Sequence, residues 1–246
     1  MRILLIDIET SANTAYVWGL FQQNISISQI IESSGMLCFA AKWLGEKEVY
    51  FKSIMNGSRK SMLKLAHKLL SEADAVIHYN GARFDIPVLM REFLLADMGP
   101  PAPFKQIDLL RVARNKFKFA SNKLDYVAQA LGLGKKKDTN FQLWIDCVNK
   151  DPAAWAKMEA YNIQDVILLE KVYGKFLPYI TNHPNIGVHL NDTVCPNCGS
   201  HSYQRRGRAF LSAGSYQRYQ CNSCHHWFRD AKMIKEEKKD TFRHAT

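Results

Sequence analysis

The apolar and polar positions of this chain predict an alternation of strands and helices. Residues 2–11, RILLIDIETS, begin with an unbroken apolar run, Ile3 to Ile6, which is the pattern of a strand buried on both faces. The run ends in two acids one residue apart, Asp7 and Glu9. In a strand, residues i and i+2 point to one face, so these carboxylates project together. They repel unless something positive neutralises them. Residues 36–43 (MLCFAAKW) and 47–53 (KEVYFKS) read as two strands joined by a turn at Gly45. Over 59–72 the spacing of Met62, Leu65, Ala66, Leu69 and Leu70 predicts an amphipathic helix.

Ala75–Tyr79 is a short buried strand broken by Asn80-Gly81. A helix follows from Pro87 to Leu95, with the proline tolerated in its first turn, and GPPAP at 99–103 ends it. A further strand is expected near Gln106–Leu110, then a helix from Ser121 or Asn122 to Leu131, then a basic loop, LGLGKKKDTN. Asp151 as N-cap and Pro152 at the first helical position start a long helix that runs to about Tyr173. Strands first and mixed elements afterwards imply a three-layer α/β domain with a mixed sheet. The expected organisation is that domain over 1–180, a linker over 181–192 that contains Pro and Asn, a cysteine module over 193–230 and a charged tail over 231–246.

Composition narrows the partners. No apolar stretch approaches the roughly 18 residues needed to cross a bilayer, so no membrane partner is expected. The N-terminus lacks the features of a secretory signal. The chain has 33 basic and 23 acidic residues, a net +10. Residues 191–246 hold 10 basic and 5 acidic residues, so +5 sits on the last 56 residues and +5 on the first 190. A polyanion, nucleic acid first, is the partner class this balance favours.

Two more acids stand out by position. Asp85 follows the strand AVIHY through NGARFD, and Asp165 lies in YNIQDVILLEKVY, four residues after Tyr161 on one helix face. Taken singly, capping or a solvated surface explains either acid. Taken together, Asp7-Ile8-Glu9, Asn80-x-x-x-Phe84-Asp85 and Tyr161-x-x-x-Asp165 resemble the three motifs of DEDD-type 3′–5′ exonucleases of the tyrosine subclass. Similar proteins are the proofreading domain of family B DNA polymerases and standalone ribonuclease-H-like proteins, phage-encoded ones included. IDLL at 107–110 and NKLDYVAQALGLGKKKD at 122–138 extend the resemblance, which covers residues 1–180.

The resemblance implies a ribonuclease-H-like fold and hydrolysis of phosphodiester bonds at the ends of single-stranded DNA. It also implies two Mg²⁺ or Mn²⁺ ions, whose carboxylate ligands would be neutralised by them. Asp7 would bridge both ions, Glu9 and Asp165 would hold the nucleophile-side ion, and Asp85 would support the other. Tyr161 would orient the attacking water. Asn80 and Phe84 would shape the turn and lie near the terminal nucleotide. A DNA polymerase or other replication protein is the implied protein partner. A structure-specific endonuclease or ribonuclease using the same acids stays open, as does a non-catalytic adaptor. The segment 12–35 is too long for a hairpin connection; its Tyr16, Trp18 and Phe21 either stack on bases or pack on the sheet edge.

Of six cysteines, Cys38 and Cys147 stand alone and read as small core residues. Cys195 and Cys198, then 22 residues, then Cys221 and Cys224 form two Cys-x-x-Cys pairs, a spacing that suits one structural Zn²⁺. SYQRRGRAFLSAGSYQRYQ between them reads as two strands with a turn at Ala213-Gly214, and the whole resembles a zinc ribbon. Arg205, Arg206, Arg208 and Arg218 interleave with aromatic residues, Tyr216 and Tyr219 among them, which is the composition of a nucleic-acid-binding surface. The alternative is a ribbon that docks protein or only stabilises. Thiolate ligands fit a reducing, cytoplasmic setting.

Overall fold

The computed structural model describes residues 1–212 and 214–234. Ala213, expected in a turn, and most of the expected tail lie outside the described residues. The chain forms two compact units, Met1–Phe176 and a second that starts at Leu177.

The first unit contains β1 (Ile3–Thr10), β2 (Thr14–Ala15), β3 (Ile30–Glu32), β4 (Met36–Trp43) and β5 (Tyr50–Ser53). After these come α1 (Arg59–Ser71), β6 (Ala75–His78), α2 (Asp85–Leu95) and β7 (Lys105–Asp108). Four helices complete it: α3 (Leu109–Lys116), α4 (Leu124–Ala130), α5 (Gln142–Val148) and α6 (Pro152–Phe176). Five strands make one mixed sheet in the order β5-β4-β1-β6-β7. β1 runs antiparallel to β4 and parallel to β6, and β7 continues parallel to β6.

β1 sits at the centre, and its side-chain alternation divides the domain. Leu4, Ile6 and Ile8 face one way, into a core built with Met62, Ala66 and Leu69 of α1 and Leu89 and Phe93 of α2. The opposite face of the sheet carries α6, whose Trp155, Met158 and Tyr161 pack with Leu37 and Cys38 of β4 and with Leu143 and Cys147 of α5. Asp7 and Glu9 therefore point together towards α6, as the i, i+2 spacing requires. A mixed sheet flanked by helices is the expected fold class.

Several local expectations need correction. The strand expected to reach Leu110 stops at Asp108, whose carboxylate accepts from the Leu110 amide at 3.0 Å and so starts α3. α2 begins two residues before Pro87, at Asp85. α5 lies where no element was foreseen; its buried residues are Leu143 and Cys147, a single i, i+4 repeat. In segment 12–35, β2 and β3 pair as a two-stranded sheet. Packing of its aromatics onto the sheet edge does not occur: Tyr16 is 75%, Trp18 98% and Phe21 84% exposed. Among the described residues, no helix is long and apolar enough to cross a membrane.

The second unit begins with a 3₁₀ turn, Leu177–Tyr179, and α7 (Ile186–Leu190). α7 lies in the stretch expected as a linker; Asn185 caps it, and the Ile186 amide donates to Pro196 O at 2.9 Å. β8 (Tyr203–Leu211), β9 (Gly214–Cys221) and β10 (Trp227–Arg229) form an antiparallel sheet in the order β10-β9-β8. A bulge between Arg205 and Arg208 contains Gly207 at φ 73°, a left-handed conformation that glycine adopts without strain.

Candidate active site and cysteine cluster

The first unit's acids arrive from three directions. Past Leu5 the β1–β6 ladder ends, and the amide of Ile8 donates instead to Asp85 Oδ1 at 3.1 Å. The turn that delivers Asp85 depends on Asn80, at φ 70° with its amide donating to Asp108 Oδ1 at 2.9 Å. It depends also on Gly81, where a Cβ would lie 2.5 Å from His78 Cγ. Phe84 precedes the helix and is exposed. Asp165 comes from the middle of α6.

The structure brings Asp7, Glu9 and Asp165 together: one carboxylate oxygen from each lies within 4.8 Å of the other two. Asp85 is outside this trio, yet it is the charge that acts most strongly on Asp7. Each acid has a dedicated neighbour. Asn162 Nδ2 donates to Asp7 Oδ2 at 2.7 Å, and Trp144 Nε1 donates to Glu9 Oε2 at 3.1 Å. Lys136 Nζ pairs with Asp165 Oδ2 and donates to the Tyr161 hydroxyl at 3.2 Å. Asp165 Oδ1 is buried with no hydrogen-bond partner.

Burial and mutual repulsion set the protonation of these groups. Burial first, then Asp85, Glu9 and Asp165, holds Asp7 far above the usual carboxylate range. Burial lifts Glu9 from 4.5 to about 7 against the pull of the Trp144 indole. It lifts Asp85 from 3.8 to about 6 against the Ile8 amide. Burial also raises Asp165, although Lys136 opposes it. Burial alone would lower Lys136, but Asp165 and Asp7 outweigh it and keep the ammonium charged. Burial and Asp165 raise Tyr161, so its phenol stays protonated.

This donor set fits hard divalent cations. Three converging carboxylates, one with an orphaned buried oxygen, are all-oxygen ligands whose repulsion a cation relieves. A cleft of about 540 Å³ adjoins the trio, with Asp7, Asn80, Arg114, Lys123 and Lys136 among its lining residues. Phe84 does not line it.

Lys136, Trp144 and Asn162 were not among the expected site residues. Lys136 lies in the basic loop, and its neighbour Lys135 is exposed, paired with Asp138 at 3.0 Å. Asn162 had a signal in its spacing, three residues before Asp165 on the same helix. Trp144 had none, because α5 itself was not foreseen.

In the second unit, Cys195, Cys198, Cys221 and Cys224 converge, all sulfurs within 4.8 Å of one another. Sγ–Sγ separations are 3.6 Å for Cys195–Cys224 and for Cys198–Cys221. The edge of a tetrahedron with Zn–S bonds of about 2.3 Å is about 3.8 Å, so the cluster fits Zn²⁺. Each pair closes a matching knuckle: Gly199 N–H donates to Cys195 O at 2.9 Å and His225 N–H to Cys221 O at 3.1 Å. Both turn residues have positive φ. His225 and His226 are not part of the cluster.

Residues 4–177 match the RNase H superfamily. The chain belongs to that superfamily. RNase H-like nucleases use divalent metals, and the acidic trio lies inside the matched region. Among solved structures, the chain is similar to the family B DNA polymerase from the hyperthermophilic archaeon Pyrobaculum calidifontis, with a TM-score of 0.53 at 15% identity. The similarity covers 85% of this chain and 31% of the polymerase chain, so this RNase H superfamily member spans about a third of that protein's length. At this identity the likeness is one of fold. No curated protein matches the chain.

Proposed function

We propose that this RNase H superfamily member is a metal-dependent 3′–5′ exonuclease of the DEDD type, tyrosine subclass, acting on single-stranded DNA. The observation that carries the reading is the convergence of Asp7, Glu9 and Asp165 beside Tyr161, with Asp165 Oδ1 unpartnered. Asp7, Glu9 and Asp165 would be the direct ligands for two Mg²⁺ or Mn²⁺ ions, and Asp85, which ties α2 to β1, would support them. When bound, such ions stabilise charge on the phosphoryl oxygens and lower the pKa of a bound water.

The chain's own groups do the rest. Tyr161 remains a neutral phenol and orients the attacking water rather than taking its proton. Lys136 holds a fixed positive charge beside Tyr161 and Asp165, where negative charge on the phosphodiester needs opposing. Asn162 and Trp144 fix the carboxylates of Asp7 and Glu9 in one orientation. Arg114 and Lys123 in the adjoining cleft attract the backbone of the strand, and Asn80 lies beside its terminal nucleotide. Cys195, Cys198, Cys221 and Cys224 hold one structural Zn²⁺ in a ribbon, which belongs in a reducing compartment. A replication polymerase is the protein partner this activity would serve.

The test compares 5′-labelled and internally labelled single strands, with and without added Mg²⁺, beside Asp7→Ala. A metal-dependent ladder that shortens from the 3′ end, absent in Asp7→Ala, is the expected result. Cleavage of circular or end-blocked strands would replace the exonuclease with an endonuclease. Binding without cleavage of DNA or RNA would leave an adaptor.

A further inference from the structure

The sheet of the second unit separates the residues between its cysteines onto two faces. On one face Tyr203, Tyr219 and Phe228 pack against each other, with ring centroids 5.4–5.5 Å apart, and Tyr219 donates to Asp230 Oδ2 at 3.2 Å. Arg205 and Arg208 pair with Tyr219 and Gln217 and so fall on this same face. Tyr219, Arg205 and Arg208 are therefore separated from Tyr216 and Arg218, with which the sequence pattern had grouped them.

The other face has a different composition. Arg229 lies directly across from Arg218 in the β10–β9 register, and Trp227 across from Gln220. Each arginine leans over the ring diagonal to it: Arg218 Cζ is 5.0 Å from the Trp227 centroid, and Arg229 Cζ is 4.1 Å from that of Tyr216. The order along the face is aromatic, paired guanidinium groups, aromatic. Like charges directly opposite each other in a sheet oppose folding. Cation–π contacts offset part of that repulsion but remove none of the charge. Among the described residues neither guanidinium has a carboxylate partner: Arg218 Nε donates to Arg206 O at 3.0 Å and Arg229 Nη1 to Asp230 O at 2.8 Å, bonds to neutral carbonyls that leave both charges in place. Trp227 is half exposed, 48%.

We propose that this face, Tyr216, Arg218, Trp227 and Arg229, is a binding site for single-stranded nucleic acid. The paired guanidinium groups take a backbone phosphate, whose charge relieves their repulsion. Trp227 and Tyr216 stack bases on either side. Gln220, opposite Trp227, is four residues from Tyr216, so the rings are about 13 Å apart along the strand direction. Bases within a duplex are paired and stacked on one another, whereas a single strand can turn its base faces to these rings. The site rests on nucleic acid being the substrate class proposed above, but not on the cleavage chemistry.

The experiment uses the full chain, zinc-loaded, carrying Asp7→Asn and with no other divalent metal added, so that binding is read without cleavage. Fluorescence anisotropy follows a labelled dT20, rU20 and a 20-bp duplex. Trp227→Ala is expected to weaken dT20 binding about tenfold, and Trp227→Phe to restore most of it. Arg218→Ala with Arg229→Ala should weaken it more and flatten the salt dependence. Arg205→Ala with Arg208→Ala removes the same charge from the opposite face and should change binding less than threefold. Zinc content is measured for every variant as the check on folding. Equal losses from the two arginine pairs, no loss in Trp227→Ala, or duplex binding as tight as dT20 would each overturn the proposal. rU20 binding as tight as dT20 supports a face that reads backbone and base planes without regard to sugar. If dT20 binds as predicted but the wild type cuts no strand with Mg²⁺, the cleavage reading fails and this site stands. If the wild type cuts and Trp227→Ala binds normally, only this site fails.

Discussion

The two clusters of this protein stand in opposite relations to the folds that hold them. The carboxylates of the first unit are assembled by long-range packing: β1, α2 and α6 must already be in place before Asp7, Asp85 and Asp165 can meet. Their burial opposes folding, because it pushes all four acids upward in pKa, and for Asp7 and Glu9 repulsion from the other acids adds to it. Lys136 is the internal cation that limits this opposition. The cysteines of the second unit come from two knuckles that are each four residues long in sequence. A sheet of three strands buries little apolar surface, so there the proposed zinc would be needed for the fold itself. One site is imposed by its fold; the other supplies it.

The largest test of that contrast is metal removal. Stripping zinc, or Cys221→Ser, should unfold the second unit, since structural zinc is worth on the order of 10–16 kcal/mol in small domains. Circular dichroism should show the helices of the first unit retained. Withholding Mg²⁺ should unfold nothing.

Next in size is activity. Asp7→Ala should reduce cleavage by about 10³-fold or more, equivalent to about 4 kcal/mol of barrier. Steady-state rates on a labelled strand give the number.

The internal cation comes third. Lys136→Met leaves Asp165 buried without its partner and should destabilise the metal-free first unit by about 2–3 kcal/mol in urea unfolding. Lys135→Met, one residue away in an exposed pair with Asp138, should change stability by about 0.5 kcal/mol or less.

The pH dependence follows from the same buried acids. Glu9 and Asp85 have folded pKa values above their unfolded ones, about 7 against 4.5 and about 6 against 3.8. The folded state therefore binds more protons between those limits. Stability of the metal-free, zinc-loaded protein should fall as pH rises from about 4 to about 7, by up to about 6 kcal/mol for these two groups together. Thermal melts across that range measure the slope, and added Mn²⁺ should flatten it.

What the sequence disclosed follows the same division. Cys195 to Cys224 are recognisable because their chemistry is local, and the i, i+2 pairing of Asp7 and Glu9 is fixed by strand geometry. β1 and β4 were evident from their long apolar runs, β6 from the Asn80-Gly81 break that ends its short one, and α6 from Asp151 and Pro152 at its start. α5 was not, since seven residues give a single i, i+4 repeat. With it went Trp144, the donor to Glu9. Lys136 reads in sequence like Lys135 and Lys137; only packing of the loop against α6 distinguishes it. The face of Tyr216 and Arg218 was not evident because β10, which sets Trp227 and Arg229 beside them, is only three residues long, while the bulge between Arg205 and Arg208 shifts the alternation of β8 relative to β9.

The first unit's buried acids oppose its fold, an opposition that divalent cations in the proposed site would relieve. Thermal unfolding of the zinc-loaded chain at pH 8, titrated with Mn²⁺, tests it most directly beside Asp7→Asn. The metal-free variant should melt above the metal-free wild type, and Mn²⁺ should raise the wild type while moving the variant little. A metal-free variant that melts lower, or an equal Mn²⁺ shift in both proteins, would contradict it.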